Sequence, residues 1–164
     1  MLITTIIAAA LATQAAAEQH TTHAPPVGAQ PASNNADENA VRAVLARYKS
    51  AIERLDATGT EGLFTEDSAV FETGGVEGTY KEYLAHHLAP ELAAFRAFAF
   101  SDYKVAVRIE GDLALATETY NYRIDPKVGE VAMRKGVATS VLTRTEDGWK
   151  ILVMHGSARN PKGA

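Results

Sequence analysis

The 164-residue sequence contains no cysteine. That excludes disulfides, thiolate nucleophiles and zinc sites built on sulfur. It leaves the redox compartment open, because an oxidising compartment permits disulfides without requiring them. Excess positive charge is also missing, with 16 Lys and Arg against 20 Asp and Glu and a net charge of −4. Such a chain has no electrostatic footprint for nucleic acid or for an anionic membrane, so neither is expected as a partner. No internal repeat is visible, no cofactor is expected, and one tryptophan, Trp149, serves the whole chain.

No apolar run is long enough to span a bilayer. The longest, Leu2 to Ala12, extends over about eleven residues, where a spanning helix needs about twenty. It is followed by Ala15-Ala16-Ala17, small residues where a signal peptidase reads. A basic segment before the run is lacking, so only the α-amino group supplies positive charge. Residues 1–17 therefore read as a secretory signal, and the mature protein is expected in the periplasm or outside the cell, free of the membrane after cleavage. Residues 18–36 hold Pro25-Pro26, Pro31 and little that can be buried, which predicts a disordered tether. His20 and His23 in it read as solvated side chains.

What remains, residues 37–160, is enough for one domain. Val41, Val44, Leu45, Tyr48, Ile52 and Leu55 recur at three- and four-residue steps, which predicts a helix from Asp37 to Leu55. Asp37 sits near its cap and Gly59 is the expected stop. A short turn over Thr60 to Phe64 leads to a strand, Ala69 to Glu72, broken by Gly74-Gly75. Tyr80, Leu84, His87 and Leu88 mark a second helix, continued past Pro90. From Tyr103 the period becomes two, giving strands Tyr103–Glu110, Leu113–Ile124, Glu130–Thr145 and a closing strand from Gly148. Helices followed by a meander of long strands make an α+β fold.

The closing strand carries Gly148-Trp149-Lys150-Ile151, with His155 two residues before Ser157. Strict alternation would put Trp149, Ile151, Val153, His155 and Ser157 on one face. This strand resembles the last strand of the nuclear-transport-factor-2-like superfamily, which includes SnoaL-like cyclases, ketosteroid isomerases, scytalone dehydratases and kinase association domains. The resemblance covers Asn39 to Ser157. It implies a curved mixed or antiparallel sheet forming a cone, closed by the N-terminal helices around a pocket. Ala46-Arg47-Tyr48 matches the isomerase segment that supplies a phenol to an oxyanion hole. Ala69-Val70-Phe71-Glu72 matches the strand ending in the general base. The isomerases' second, protonated acid, a worked case of pKa tuning, falls near Ala138, which cannot donate a hydrogen bond.

On this basis Tyr48, Glu72 and His155 are the candidate catalytic residues, and His87, Glu118, Tyr120 and Ser157 the candidate ligand-binding ones. Glu118, Tyr120 and Tyr122 share one strand face, and Glu118 counts as a second acid only if that face is concave. His86 and His87 are adjacent on a helix, where neighbours diverge, so only His87 is expected to point inward. A two-histidine, one-carboxylate metal site from His87, His155 and Glu72 or Glu118 has no local spacing motif behind it, and no metal is expected.

Three functions fit: a pocket for a small apolar or carbonyl-containing molecule; an isomerase, dehydratase or cyclase moving protons on a carbonyl compound; and an oligomeric assembly module. The closing strand is apolar on both faces while a single-layer cone has one inside, so a homodimer through the sheet is expected. The export reading has a direct check. The mature chain should begin at Glu18, and an intact mass of exported protein starting at Met1 would refute it.

Overall fold

The computed structural model describes residues 33–161. The expected signal segment and most of the expected tether lie outside the described residues. The remainder is one α+β unit built on a six-stranded curved sheet with strand order β2-β1-β6-β5-β4-β3.

Helix α1 spans Ser33–Glu53, so its first turn lies within the stretch read as tether. Asp37 is inside the helix rather than at its cap. Its carboxylate accepts hydrogen bonds from Arg144 Nη2 at 2.7 Å and Trp149 Nε1 at 3.3 Å, tying the helix to the last two strands. The apolar stripe is as expected, with Val41, Val44, Leu45 and Ile52 buried. Gly59 does not end the helix. Leu55 does, in the left-handed region at φ 56, with its N–H on the Ile52 carbonyl and that of Asp56 on the Ala51 carbonyl. This is the Schellman pairing, made with a leucine where glycine is usual. Packing of the Leu55 side chain against the core offsets the backbone strain.

A 3-10 turn over Thr60–Leu63 feeds strand β1, Phe64–Glu72, which is longer than the alternation suggested. Thr73 and Gly74, at φ 45 and 85, form a two-residue connection to β2, Gly75–Gly78. The sequence reading took this pair of glycines as the end of a strand; positive φ at both turn residues instead suits a hairpin. Next comes a continuous helical stretch, formed by α2 (Tyr80–Tyr83), a π turn (Leu84–Leu88) and α3 (Ala89–Ala94). Thr79 and Glu82 form a capping box at its start.

Strands β3 (Phe95–Glu110), β4 (Leu113–Pro126), β5 (Ala132–Thr145) and β6 (Gly148–Arg159) follow as an antiparallel meander, and β6 pairs in parallel with β1. β3 is an edge strand, and α1 satisfies part of that edge. Arg42 Nη1 donates to the Val105 carbonyl at 2.7 Å, and the Glu53 carboxylate accepts the Phe100 N–H at 3.1 Å. The core lies between α1, the helical stretch and the concave face. Phe64 and Tyr80 stack at 3.6 Å, and Tyr48 meets both edge-on at 5.5 and 5.9 Å. Tyr80 is buried with both its polar groups paired, its N–H to Ser68 Oγ and its hydroxyl to Thr60 Oγ1.

Two bulges set which side chains face inward. In β3 the register slips between Ser101 and Lys104, where Asp102 has φ 51. In β6, Val153 pairs with Val141 and Ile151 with Leu142, so Leu152 is an extra residue on its strand. An inserted residue reverses the alternation beyond it. Trp149 and Ile151 face the core, and past Leu152 the inward residues are Met154, Gly156 and Ala158. The single face expected for Trp149, Ile151, Val153, His155 and Ser157 is therefore split, and His155 falls on the convex side.

Candidate functional site

The concave face encloses a cavity of about 210 Å³. One wall is aromatic. Phe98 and Phe100 of β3 face Tyr120 and Tyr122 of β4, with Phe98 and Tyr122 stacked at 5.2 Å and Phe100 edge-on to Tyr120 at 5.1 Å. Gly136 is the β5 partner of Tyr120, and a β-carbon there would collide with the Tyr120 ring. Its lack of a side chain is what lets that ring lie flat on the sheet. The opposite wall is Tyr48 and Ile52 of α1 with Tyr83 and Leu88 from the helical stretch, and the floor is Val70, Met154 and Gly156.

Apart from the Tyr120 and Tyr122 hydroxyls of the aromatic wall and Ser157 at the rim, the polar groups of the lining are Tyr48, Glu72, Tyr83 and Glu91. Glu72 ends β1 beside Gly156 and faces the cavity. The Tyr83 hydroxyl donates to its Oε2 at 2.7 Å. Burial first, then the neighbouring Tyr48 and Glu72, push the Tyr83 phenol far above its ordinary range, so it stays a donor. Tyr48 is also pushed well up by burial and by the neighbouring tyrosines and carboxylates. Its hydroxyl has no hydrogen-bond partner among the described residues, which leaves a donor facing the cavity.

His87 stands behind Glu72, stacked on the Tyr83 ring at 5.2 Å. Its Nε2 lies 3.7 Å from Glu72 Oε2 and 3.4 Å from Glu91 Oε1, and its Nδ1 lies 3.7 Å from Glu77 Oε2. Glu91, at the cavity mouth, holds its proton more tightly than a free carboxyl because of its burial, an effect that His87 opposes and Glu72 reinforces.

Glu118 and Tyr120 are both on the concave face, which resolves the ambiguity the sequence left. Glu118 accepts a hydrogen bond from the Tyr103 hydroxyl. Burial raises its pKa, and the Tyr103 bond only partly offsets this. Ala138 is the direct β5 partner of Glu118, so an acid does occupy this level of the cone, one strand away from the position that Ala138 fills.

Of the seven candidate residues, Tyr48, Glu72 and Tyr120 line the cavity, Ser157 reaches its rim from an exposed position, and Glu118 and His87 stand just behind the wall. His155 does not join them. It is exposed on the convex side, edge-on to Phe71 at 6.1 Å, because of the Leu152 bulge. A metal site containing His155 is excluded with it. The sequence reading missed Tyr83 and Glu91, and also Phe98 and Phe100, whose two-residue spacing was a strand signal that went unused. It also kept His86 and His87 apart, whereas the π turn brings both rings to Glu77.

A family model of the SnoaL-like domain matches residues 41–161. The chain belongs to the SnoaL-like domain family. Among solved structures it resembles a nuclear transport factor 2-like superfamily protein from Salmonella enterica serovar Typhimurium, with TM-score 0.70 and 18% identity, covering 80% of this chain and 96% of that one. It also resembles a candidate dehydratase of the same superfamily from Streptomyces avermitilis, with TM-score 0.68 and 26% identity over 78% and 99% of the two chains. A candidate ketosteroid isomerase from Shewanella frigidimarina matches at TM-score 0.61 and 25% identity, over 72% and 94%. Among curated proteins none matches significantly. The fold expectation, a cone of curved sheet closed by N-terminal helices, is thus met in a SnoaL-like domain.

The raised pKa of Glu118 has a measurable consequence. The folded state holds this proton more tightly than the unfolded chain, whose carboxyl titrates near 4.5. The contribution to stability is fully present below that value and is lost as pH rises through the folded pKa. Glu118→Gln should therefore melt higher than the parent at pH 7 and converge with it near pH 4. A lower melting temperature at pH 7 would mean that the bond from Tyr103 outweighs the burial of the charge.

Proposed function

We propose that this SnoaL-like domain is exported and binds a small, mainly apolar molecule in the cone, with Tyr48 and Glu72 orienting it. The observation that carries this is an unpartnered phenol and a carboxylate turned into one aromatic-walled cavity. Ligand sites are usually apolar hollows with a few convergent polar groups. At about 210 Å³ the hollow is smaller than the 300–1,000 Å³ usual for drug-sized ligands, which favours a compact molecule with a carbonyl or hydroxyl group. Tyr48 would donate to the ligand oxygen and Glu72 would accept from a hydroxyl or an acidic C–H.

Proton-transfer catalysis on a carbonyl compound is the second reading. It is favoured by the bond from Tyr83, which fixes the Glu72 carboxylate at 2.7 Å and leaves its other oxygen for a substrate. Ala138 weighs against fast turnover, since no second donor stands there beside Tyr48 to stabilise an oxyanion. Small molecules that co-purify with the mature protein, identified by mass spectrometry, supply the ligand for a test. Tyr48→Phe should weaken its binding about fivefold to twentyfold, as loss of one hydrogen bond implies. Glu72→Gln should abolish turnover if the domain is an enzyme and leave most of the affinity if it only binds. Unchanged affinity in both variants would overturn the pocket reading.

The convex face bears on assembly. Leu113, Leu115, Met133 and Val137 are each 43–48% exposed there, beside Val141 and Val153. We expect a second copy to cover this face. The assembly-module reading would need the same face in a larger ring. Light scattering at micromolar concentration should give a dimer mass; a monomer mass counts against it.

A further inference from the structure

We propose that Glu77, His86 and His87 bind one divalent transition-metal ion at the edge of the cone. The argument is independent of what the cavity holds.

Glu77 lies on β2, and the two histidines lie on the π turn that follows α2. Neighbours on an α-helix point about 100° apart; the wider π turn narrows that step and is a local insertion often found at functional sites. Here both imidazoles turn the same nitrogen to one carboxylate oxygen. His86 Nδ1 lies 3.9 Å and His87 Nδ1 3.7 Å from Glu77 Oε2. The three donor atoms lie within 4.8 Å of one another. Ligands about 2.1 Å from a tetrahedral ion stand about 3.4 Å apart, so the two carboxylate–imidazole distances close with a few tenths of an ångström, and a turn of the His86 ring brings the two nitrogens together. His86, whose side chain is 51% exposed, is free to make that adjustment.

Two further observations point to a cation. The Glu77 side chain is only 15% exposed, and among the described residues no Lys or Arg forms an ion pair with it; its partners are the two imidazoles. A carboxylate so placed, without a Lys or Arg beside it, is a ready ligand for a bound cation. The remote ring nitrogens are also held as metal-bound histidines usually are. His86 Nε2 is 3.1 Å from the Glu77 carbonyl oxygen, and His87 Nε2 faces the carboxylates of Glu91 and Glu72. Such partners keep the proton on Nε2 and leave the Nδ1 lone pair for the metal.

The donor set selects the ion. Two imidazole nitrogens and one carboxylate suit Zn²⁺, Co²⁺, Ni²⁺ or Mn²⁺, whereas Ca²⁺ and Mg²⁺ prefer oxygen alone. Three protein ligands leave at least one position for water or a ligand oxygen.

The test uses the untagged full chain, titrated calorimetrically with each of the chlorides of Zn²⁺, Co²⁺, Ni²⁺ and Mn²⁺. One saturable site per chain is expected for at least one ion. His86→Ala, which removes an exposed ring and should leave the fold and the metal-free melting temperature unchanged, should weaken binding at least tenfold, as should Glu77→Gln. The His20→Ala/His23→Ala double variant should retain it. Absence of saturable binding with all four ions, affinity unchanged in His86→Ala and Glu77→Gln, or loss of binding in the His20→Ala/His23→Ala variant would each overturn the proposal.

Discussion

The extra residue at Leu152 decides the content of the cone. Before it, Trp149 and Ile151 fill the base of the core beside Leu142. After it the strand turns its other set of residues inward, and these are Met154, Gly156 and Ala158. They are smaller than the set they replace or, for Met154, flexible, so the cone stays hollow beside them while the part beside Trp149 and Ile151 is packed. The same shift places Gly156 beside Glu72 across the parallel pair, and nothing on β6 competes with that carboxylate for the space. Without the bulge, His155 would face the cavity and crowd the position of the acid.

The second constraint is that one helix has to seal one open side of a single sheet. Helix α1 does so with an apolar stripe, but its anchoring is polar. Asp37 ties its start to Arg144 and Trp149, Arg42 reaches the Val105 carbonyl, and Glu53 takes the Phe100 N–H. Each bond joins positions distant in the chain, and together they fix the rotation of the helix. That rotation presents Tyr48 between the Phe64–Tyr80 stack and the cavity, with its ring in the core and its hydroxyl at the surface of the hollow. Tyrosine suits this place because one end is apolar and the other polar.

The carboxylates of the cone differ in their surroundings. Glu118 sits deep, where burial favours its protonated form. Glu72 sits nearer the mouth, supported by the Tyr83 hydroxyl. Glu91 stands at the mouth and Glu77 beyond it, with His87 between them. Under the proposed reading, a ligand in the hollow would meet the Tyr48 phenol and the Glu72 carboxylate against aromatic walls.

Hydrophobic period alone specified the elements: the α1 stripe, the long alternating strands, and hence the α+β class. The sequence of the closing strand, with Tyr48 and Glu72 at their places, was enough to point to the family. These signals are local, and local patterns survive in any fold that buries one face. The direction of the inner face was not local. It depended on a bulge at Leu152 that pairing with β5 creates and that no residue type announces. The proximity of His86 to His87 depended on a π turn, and the site at Glu77 on a hairpin whose glycines read as a terminus. Glu91 and Tyr83 belonged to a helix whose packing had to be known before their aim could be. The sequence determined which residues were able to do chemistry; register, bulges and helix rotation decided which of them meet, because one inserted residue reverses every side chain beyond it.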